Sequence, residues 1–176
     1  MFKNPLFRIV IRYGLMAGVL GYALLVILYY AGRHPFVIPL FFDFRILLFA
    51  LVLVFSLRDF REFHNEGLLS FAQGMVGSFV LTFAYALVSS ILLFAFVSWN
   101  AEFLSSFIEL TLEQAKSYPA EDIERMGKET FEQGLKAIRE TDAAYLAKRY
   151  FFQSFIISFF ISIIISVILR RQPLTT

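Results

Sequence analysis

The sequence lacks most of the features that mark catalytic and metal-binding proteins. It has no cysteine, which excludes disulfide bonds and thiolate metal sites. Its 176 residues include only 17% charged side chains, and it contains no phosphate-binding loop, nucleophile motif or nucleic-acid-binding pattern. We therefore expect no cofactor, no metal ion and no nucleic-acid partner. The lack of paired carboxylates or histidines near one membrane interface further predicts that the protein is not an enzyme.

Apolar residues are abundant instead. Hydrophobic residues make up 59% of the chain, and 23 of its residues are phenylalanine. This is more apolar surface than a water-soluble domain of this length can bury. The composition predicts an integral membrane protein whose first partner is the lipid bilayer.

Four apolar stretches approach the length of about 20 residues that a helix needs to cross a bilayer. They are residues 13–31, 38–57, 71–97 and 150–169. The second is the weakest, because its uninterrupted apolar run covers only residues 46–57, and a re-entrant or interfacial segment is the alternative. If it does span, we expect Asp43 and Arg45 to be separate interfacial anchors, because residues two apart lie on different faces of a helix.

Basic residues in the short loops predict the orientation. Three groups alternate correctly to share the cytoplasmic side: Lys3, Arg8 and Arg12; Arg58 and Arg61; Arg170 and Arg171. Four basic residues oppose this assignment: Arg33, Arg45, Lys148 and Arg149. The sequence thus predicts a multi-pass membrane protein with both termini in the cytoplasm.

Residues 98–149 form the one long segment outside the predicted spans. Acidic residues outnumber basic ones here, and long acidic segments are translocated with little regard to charge, so we expect the segment outside the cytoplasm. Its first part has an apolar helical face, and a second helix is predicted from 120 to 149 after Pro119. Three i,i+4 ion pairs are expected on it: Glu121 with Arg125, Glu124 with Lys128, and Glu132 with Lys136. Whether this helix continues into the fourth span is left open by the sequence.

Small residues recur at every fourth position within the spans. The fourth span carries Ser154, Ser158, Ser162 and Ser166, the third carries Gly74, Ser78 and Thr82, and the first carries Gly14 and Gly18. Such rows allow helices in a bilayer to approach closely, so we predict that these residues lie at helix-packing contacts. The alternative is a hydroxyl-lined path for a polar solute. The second span has no such row of small residues, and we expect it to face lipid on the outside of the bundle, Leu53 included.

Two further polar groups have simple interpretations. Ser70 and Gln73 match the capping box that closes a helix N-terminus. Glu62, His64 and Glu66 are of the residue types that bind zinc, but their alternate spacing on a short polar turn favours solvated side chains.

Residues 58–79 resemble an uncharacterised family of small four-span bacterial inner-membrane proteins, a domain of unknown function. The resemblance rests on a basic N-terminus, the Tyr13-Gly14-Leu15 stretch, and an Arg-containing turn that leads through Gly67 and Ser70-Phe71 to Gly74. It covers nearly the whole chain. It implies an architecture and a bacterial envelope, and it supplies no activity.

The predicted fold is therefore all-α: an integral membrane four-helix bundle with an extramembrane helical hairpin between spans three and four. We expect a non-catalytic accessory or structural subunit of an envelope complex, which binds a membrane-protein partner or forms a homo-oligomer. Its small-residue helix faces and outer acidic helix would make the contacts. The alternatives are a component of a transporter or flippase, for example for lipid-linked saccharides, and a homo-oligomeric pore.

Overall fold

The computed structural model describes residues 4–38 and 43–172, and within them the predicted all-α class is confirmed. Seven helices follow one another in these ranges: α1 (Pro5–Tyr30), α2 (Phe44–His64), α3 (Phe71–Trp99), α4 (Ala101–Lys116), α5 (Ala120–Met126), α6 (Lys128–Arg139) and α7 (Ala143–Leu169). The described residues contain one isolated antiparallel bridge, between Leu69 and Arg171, and no longer strand.

Three of these helices, α1, α3 and α7, are long and apolar enough to cross a membrane. They expose many large apolar side chains, such as Ile27, Phe83 and Ile168. Exposed apolar surface on this scale is unusual in a soluble protein and fits a lipid environment. The helix α2 does not meet the same criterion, because every stretch of comparable length within it includes several charged residues.

The helices start at local signals that their sequences contain. The side chain of Asn4 accepts a hydrogen bond from the Leu6 amide, and Pro5 occupies the first turn of α1, where a missing N–H is tolerated. The capping box predicted at Ser70 and Gln73 is confirmed at the start of α3. At α7 the carboxylate of Asp142 accepts from the Tyr145 amide at 2.6 Å.

α3 lies at the centre of the bundle, between α1 and α7. α1 runs parallel to α3, since Val10 lies against Gly77 and the carbonyl of Gly18 accepts a hydrogen bond from Ser89. α7 runs antiparallel to α3, since Gly74 lies against Ser166 and Tyr85 lies against Tyr150. Buried leucine, phenylalanine and tyrosine side chains fill the remaining interior.

α2 packs against both α1 and α7. Its first turn reaches Tyr150, near the start of α7, and Arg61 in its last turn reaches the carbonyl of Leu169 at the other end. The expectation that Leu53 faces lipid is wrong, because its side chain is fully buried in the core. Leu47, Leu51 and Phe55 are among the exposed residues of this helix and lie along one side of it, and that side can face lipid.

The predicted single helix from 120 to 149 is also wrong. Gly127 adopts a φ of 89°, which ends α5 and separates it from α6, and residues 140–142 separate α6 from α7. Two ion pairs differ from the expected ones: Arg125 lies 3.9 Å from Asp122, and Lys136 lies 3.8 Å from Glu140. Glu124 and Lys128 stand on either side of the Gly127 break, so the spacing of a continuous helix does not apply to them.

Candidate functional site

The glycines singled out in the sequence lie where two helices approach most closely. A Cβ atom at Gly14 would lie 2.8 Å from the Ala84 Cβ atom of α3, and one at Gly18 would lie 2.8 Å from the Val88 Cβ atom. A Cβ atom at Gly74 would lie 2.9 Å from the Ser166 hydroxyl oxygen of α7. None of these positions has room for a larger residue unless a neighbour moves.

The hydroxyl-bearing residues of the two rows are buried between α3 and α7 or beside them. They are Ser78, Thr82, Ser154, Ser158, Ser162 and Ser166. Two of the hydroxyls donate within their own helix, Ser78 to the Gly74 carbonyl at 2.7 Å and Ser162 to the Ser158 carbonyl at 2.6 Å. A serine bonded in this way needs no partner on a neighbouring helix. The small-residue faces are therefore occupied within the chain.

A charged pair lies at the opposite end of the α7 serine row from Ser166. Asp43 is the N-cap of α2, and its carboxylate accepts from the Arg45 backbone amide at 3.0 Å and from Arg45 Nε at 2.7 Å. The expectation of two separate anchors is wrong, because Asp43 precedes the helix and the rule for helix faces does not apply to it. Both side chains are only 8% exposed, so this is a buried ion pair.

Two tyrosines complete this polar cluster, which consists of Asp43, Arg45, Tyr85 and Tyr150. The guanidinium carbon of Arg45 lies 5.2 Å from the centre of the Tyr150 ring, a cation–π distance. The Tyr150 hydroxyl lies 3.1 Å from the Tyr85 hydroxyl. Arg45 Nη2 also donates to the Pro35 carbonyl at 3.2 Å, whereas the buried Nη1 has no hydrogen-bond partner among the described residues.

The polar cluster borders a cavity of about 20 Å³ that Ser154, Ser158 and Gln153 also line. A cavity of this size holds about one water molecule. Arg45 Nη1 and the serine hydroxyls can supply the polar contacts that a buried water requires. The cavity is too small for an organic solute.

A wider surface groove adjoins this cavity along α7. It encloses about 690 Å³ and shares Gln153 and Ile157 with the cavity. Lys148 and Arg149 line the end of the groove nearer the start of α7, whereas Phe152 and Ile156 line its apolar end. The Arg149 guanidinium lies 5.6 Å from the centre of the Phe107 ring, which helps to fix its position.

His34 holds the loop after α1 against α4. Its Nε2 atom donates to the Phe103 carbonyl at 3.2 Å, and its Nδ1 atom accepts from the Phe36 amide at 3.4 Å. Burial lowers the pKa of His34, so the ring is neutral at pH 7, as this pattern of one donor and one acceptor requires. Within residues 4–38 and 43–172, no group of histidine and acidic side chains has an arrangement that could hold a metal ion, and this includes Glu62, His64 and Glu66.

Comparison with known protein families matches residues 12–171 to a family described as a protein of unknown function, DUF4199. The chain belongs to the DUF4199 family. No curated protein and no solved structure matches it. The match covers most of α1 and all of α2 to α7 of this DUF4199 protein.

Sequence reasoning missed the polar cluster of this DUF4199 protein. Asp43 and Arg45 were visible as charges beside an apolar run, but Tyr85 and Tyr150 are far apart in the sequence and appear there as two of many aromatic residues. One signal was available. Tyr150 lies four residues before Ser154, so it belongs to the same buried row of α7, and a tyrosine in such a row needs a partner for its hydroxyl.

Proposed function

We propose that this protein is a non-catalytic, multi-pass membrane protein that acts as an accessory or structural subunit of a bacterial envelope complex. In this proposal α2 is a fourth span, which makes the membrane part a four-helix bundle. The helices α4 to α6 form an extramembrane platform for a partner protein. Both termini lie in the cytoplasm, and the platform lies outside it.

The path of α2 supports the four-span arrangement. Its contacts with Tyr150 at one end of α7 and Leu169 at the other mean that it runs beside a membrane-length helix over most of that helix. Asp43 neutralises Arg45 in the first turn, and the last-turn residue Arg61 contacts Glu62. The charges that lower the hydropathy of α2 therefore lie at its ends, where interfacial residues are tolerated.

The single observation that carries the partner-binding part is the exposure of α5 and α6. Neither helix has a buried residue. α6 packs against α4, and the apolar residues along one side of it, Phe131, Leu135 and Ile138, are only half-buried. The remaining surface of α6 is charged and polar. An amphipathic helix whose apolar side is only partly covered commonly completes its burial against a partner. Since the small-residue faces are used within the chain, α6 is the better surface for a protein contact.

Quantitative affinity purification from the native membrane in mild detergent tests this proposal. The Phe131→Ser/Leu135→Ser variant should lose a co-purifying protein that the wild type retains, because it removes the apolar side of α6. The Glu129→Gln/Lys128→Gln variant is the control, as it alters neighbouring exposed charges and leaves that side intact. Equal recovery of every co-purifying protein with all three forms would refute α6 as the partner surface.

A second candidate function is a component of a transporter or flippase, for example for lipid-linked saccharides. The observation that favours it is the buried pair of Asp43 and Arg45, because ionisable residues inside membrane proteins often mark solute pathways. A homo-oligomeric pore would need several copies of this pair around one path. In either case the conservative Arg45→Lys variant should assemble normally but fail to complement a deletion strain.

A further inference from the structure

We propose that the groove along α7, together with the cavity at Arg45, is a binding site for one anionic phospholipid. The phosphate would lie against Lys148 and Arg149, an oxygen atom of the headgroup would accept a hydrogen bond from Arg45 Nη1, and one acyl chain would follow α7 past Ile156. This site is separate from the proposed partner surface on α6 and does not depend on it.

The distribution of charge indicates an anionic ligand. Three of the four basic residues that oppose the predicted orientation, Arg45, Lys148 and Arg149, lie around the cavity and groove. Asp43 neutralises only one of these charges. A phosphate group at this end of the bundle would balance the remaining positive charge, because the exposed Lys148 and Arg149 side chains can donate charge-assisted hydrogen bonds to it.

The unpartnered nitrogen of Arg45 is an independent observation that points to a ligand. The Arg45 side chain is more than nine-tenths buried, and Asp43 and the Pro35 carbonyl hold its other nitrogen atoms. Nη1 has no partner among the described residues, and Arg45 lines the small cavity. Leaving a charged donor buried without an acceptor is unfavourable, so an acceptor is expected there.

The shape of the site favours a lipid over a free anion. The inner cavity admits a single oxygen or water, whereas the groove of about 690 Å³ has room for a phosphate and the first part of a chain. Below the basic residues the lining becomes apolar, with Phe152, Ile156 and Ile157. A polar end at the level where α7 enters the membrane and an apolar end beneath it match the two halves of a phospholipid.

Native mass spectrometry of the full-length protein, titrated in detergent with phosphatidylglycerol, tests the site. We expect one phosphatidylglycerol to remain bound under activation that removes other lipids, and to bind about tenfold more tightly than phosphatidylcholine. The Lys148→Gln/Arg149→Gln variant should lose about tenfold in this affinity. The Arg125→Gln/Arg139→Gln variant, which removes the same charge from α5 and α6, should bind like the wild type.

Two further variants test the acyl-chain contact and one competition tests the free-anion alternative. Ile156→Ser should weaken phosphatidylglycerol binding, whereas Ile168→Ser, an equally exposed change near the other end of α7, should not. Inorganic phosphate at millimolar concentration should fail to displace the lipid. Displacement by phosphate, equal loss in both double variants, or the lack of a single retained lipid would each overturn the proposal. Thermal unfolding of every variant identifies any loss that merely reflects misfolding.

Discussion

Single atoms limit how closely the membrane helices approach one another. At Gly74 the nearest atom to an added Cβ is the hydroxyl oxygen of Ser166, and the Ser166 Cβ atom lies only slightly farther away at 3.0 Å. Small residues thus face each other across the contact between α3 and α7. Dispersion contacts fall off steeply with distance, so this approach lets many surrounding atoms contact one another.

Replacing Gly74 by Leu should therefore destabilise the protein. Overpacking a well-filled contact costs about 1–3 kcal/mol, and here the neighbouring atoms include the backbone of Ser166. Gly134→Leu is a matched control, because Gly134 lies in α6 with no atom within 4 Å of its added Cβ. The thermal midpoint in detergent should fall for Gly74→Leu and remain near the wild-type value for Gly134→Leu. Equal midpoints for the two variants would contradict the assignment of Gly74 to a tight contact.

The small residues could be selected from sequence because their four-residue spacing is local. The burial of Leu53 could not, since the lack of a four-residue row of small residues in α2 does not determine which side of that helix is buried. The ion pair of Asp43 and Arg45 depends on where α2 begins. A helix boundary shifted by one or two residues reverses the conclusion about which side chains can meet.

At the scale of elements, the membrane helices were more predictable than the outer ones. Long apolar runs indicate α1, α3 and α7 directly, although α1 begins at Pro5, before the predicted start of that span at residue 13. The region 120–149 has helical propensity throughout, but Gly127 adopts a positive φ that ends α5. Propensity alone could not show which glycine breaks a helix, because Gly134 lies within α6 without interrupting it.

Substitutions in the serine row of α7 test whether the size or the hydrogen bonding of these side chains matters for the packing of this helix. Alanine at Ser154, Ser158, Ser162 and Ser166 together keeps the side chains small, and interhelical hydrogen bonds in membranes average only about 0.6 kcal/mol. The quadruple alanine variant should fold and elute from a sizing column as the wild type does. Leucine at Ser158 and Ser162 should prevent this, because both side chains are buried.

Complementation of a deletion strain is the second measurement on these variants, and it distinguishes packing from a hydroxyl-lined path. A quadruple alanine protein that assembles normally and complements the deletion supports packing as the role of the serines. One that assembles normally and fails to complement would instead favour the hydroxyl-lined path and the transport function. Wild-type behaviour of the double leucine variant would contradict the packing role.

At the scale of the whole molecule, the start of α1, the end of α7 and the loop between α2 and α3 lie at one end of the bundle. Leu69 and Arg171 exchange two backbone hydrogen bonds of 2.9 Å, which joins the end of α7 to the loop before α3. Leu6, near the start of α1, lies against Gly77 in the first part of α3. The loop between α1 and α2 and the helices α4 to α6 lie at the other end.

Cysteine labelling tests the membrane orientation of this arrangement. Because the sequence contains no cysteine, only the introduced cysteine can react. With α4 to α6 outside the cytoplasm, Glu132→Cys should react with a membrane-impermeant maleimide in intact cells whose outer permeability barrier has been removed. His64→Cys, at the opposite end of the bundle, should react only after lysis. The reverse pattern would invert the proposed topology, and labelling of both residues in intact cells would show that α3 does not separate the two sides.

The hydrogen bonds that Ser78 and Ser162 make within their own helices also matter during biosynthesis. α7 follows α3 in the chain, and its contact with α3 forms only after α4 to α6 have been made. Until then its serine row meets lipid or the insertion machinery. Because Ser162 donates to the Ser158 carbonyl, its hydroxyl is satisfied before any neighbour arrives. The Ser162 hydroxyl therefore adds little to the free-energy cost of inserting α7 into the bilayer before it packs against α3.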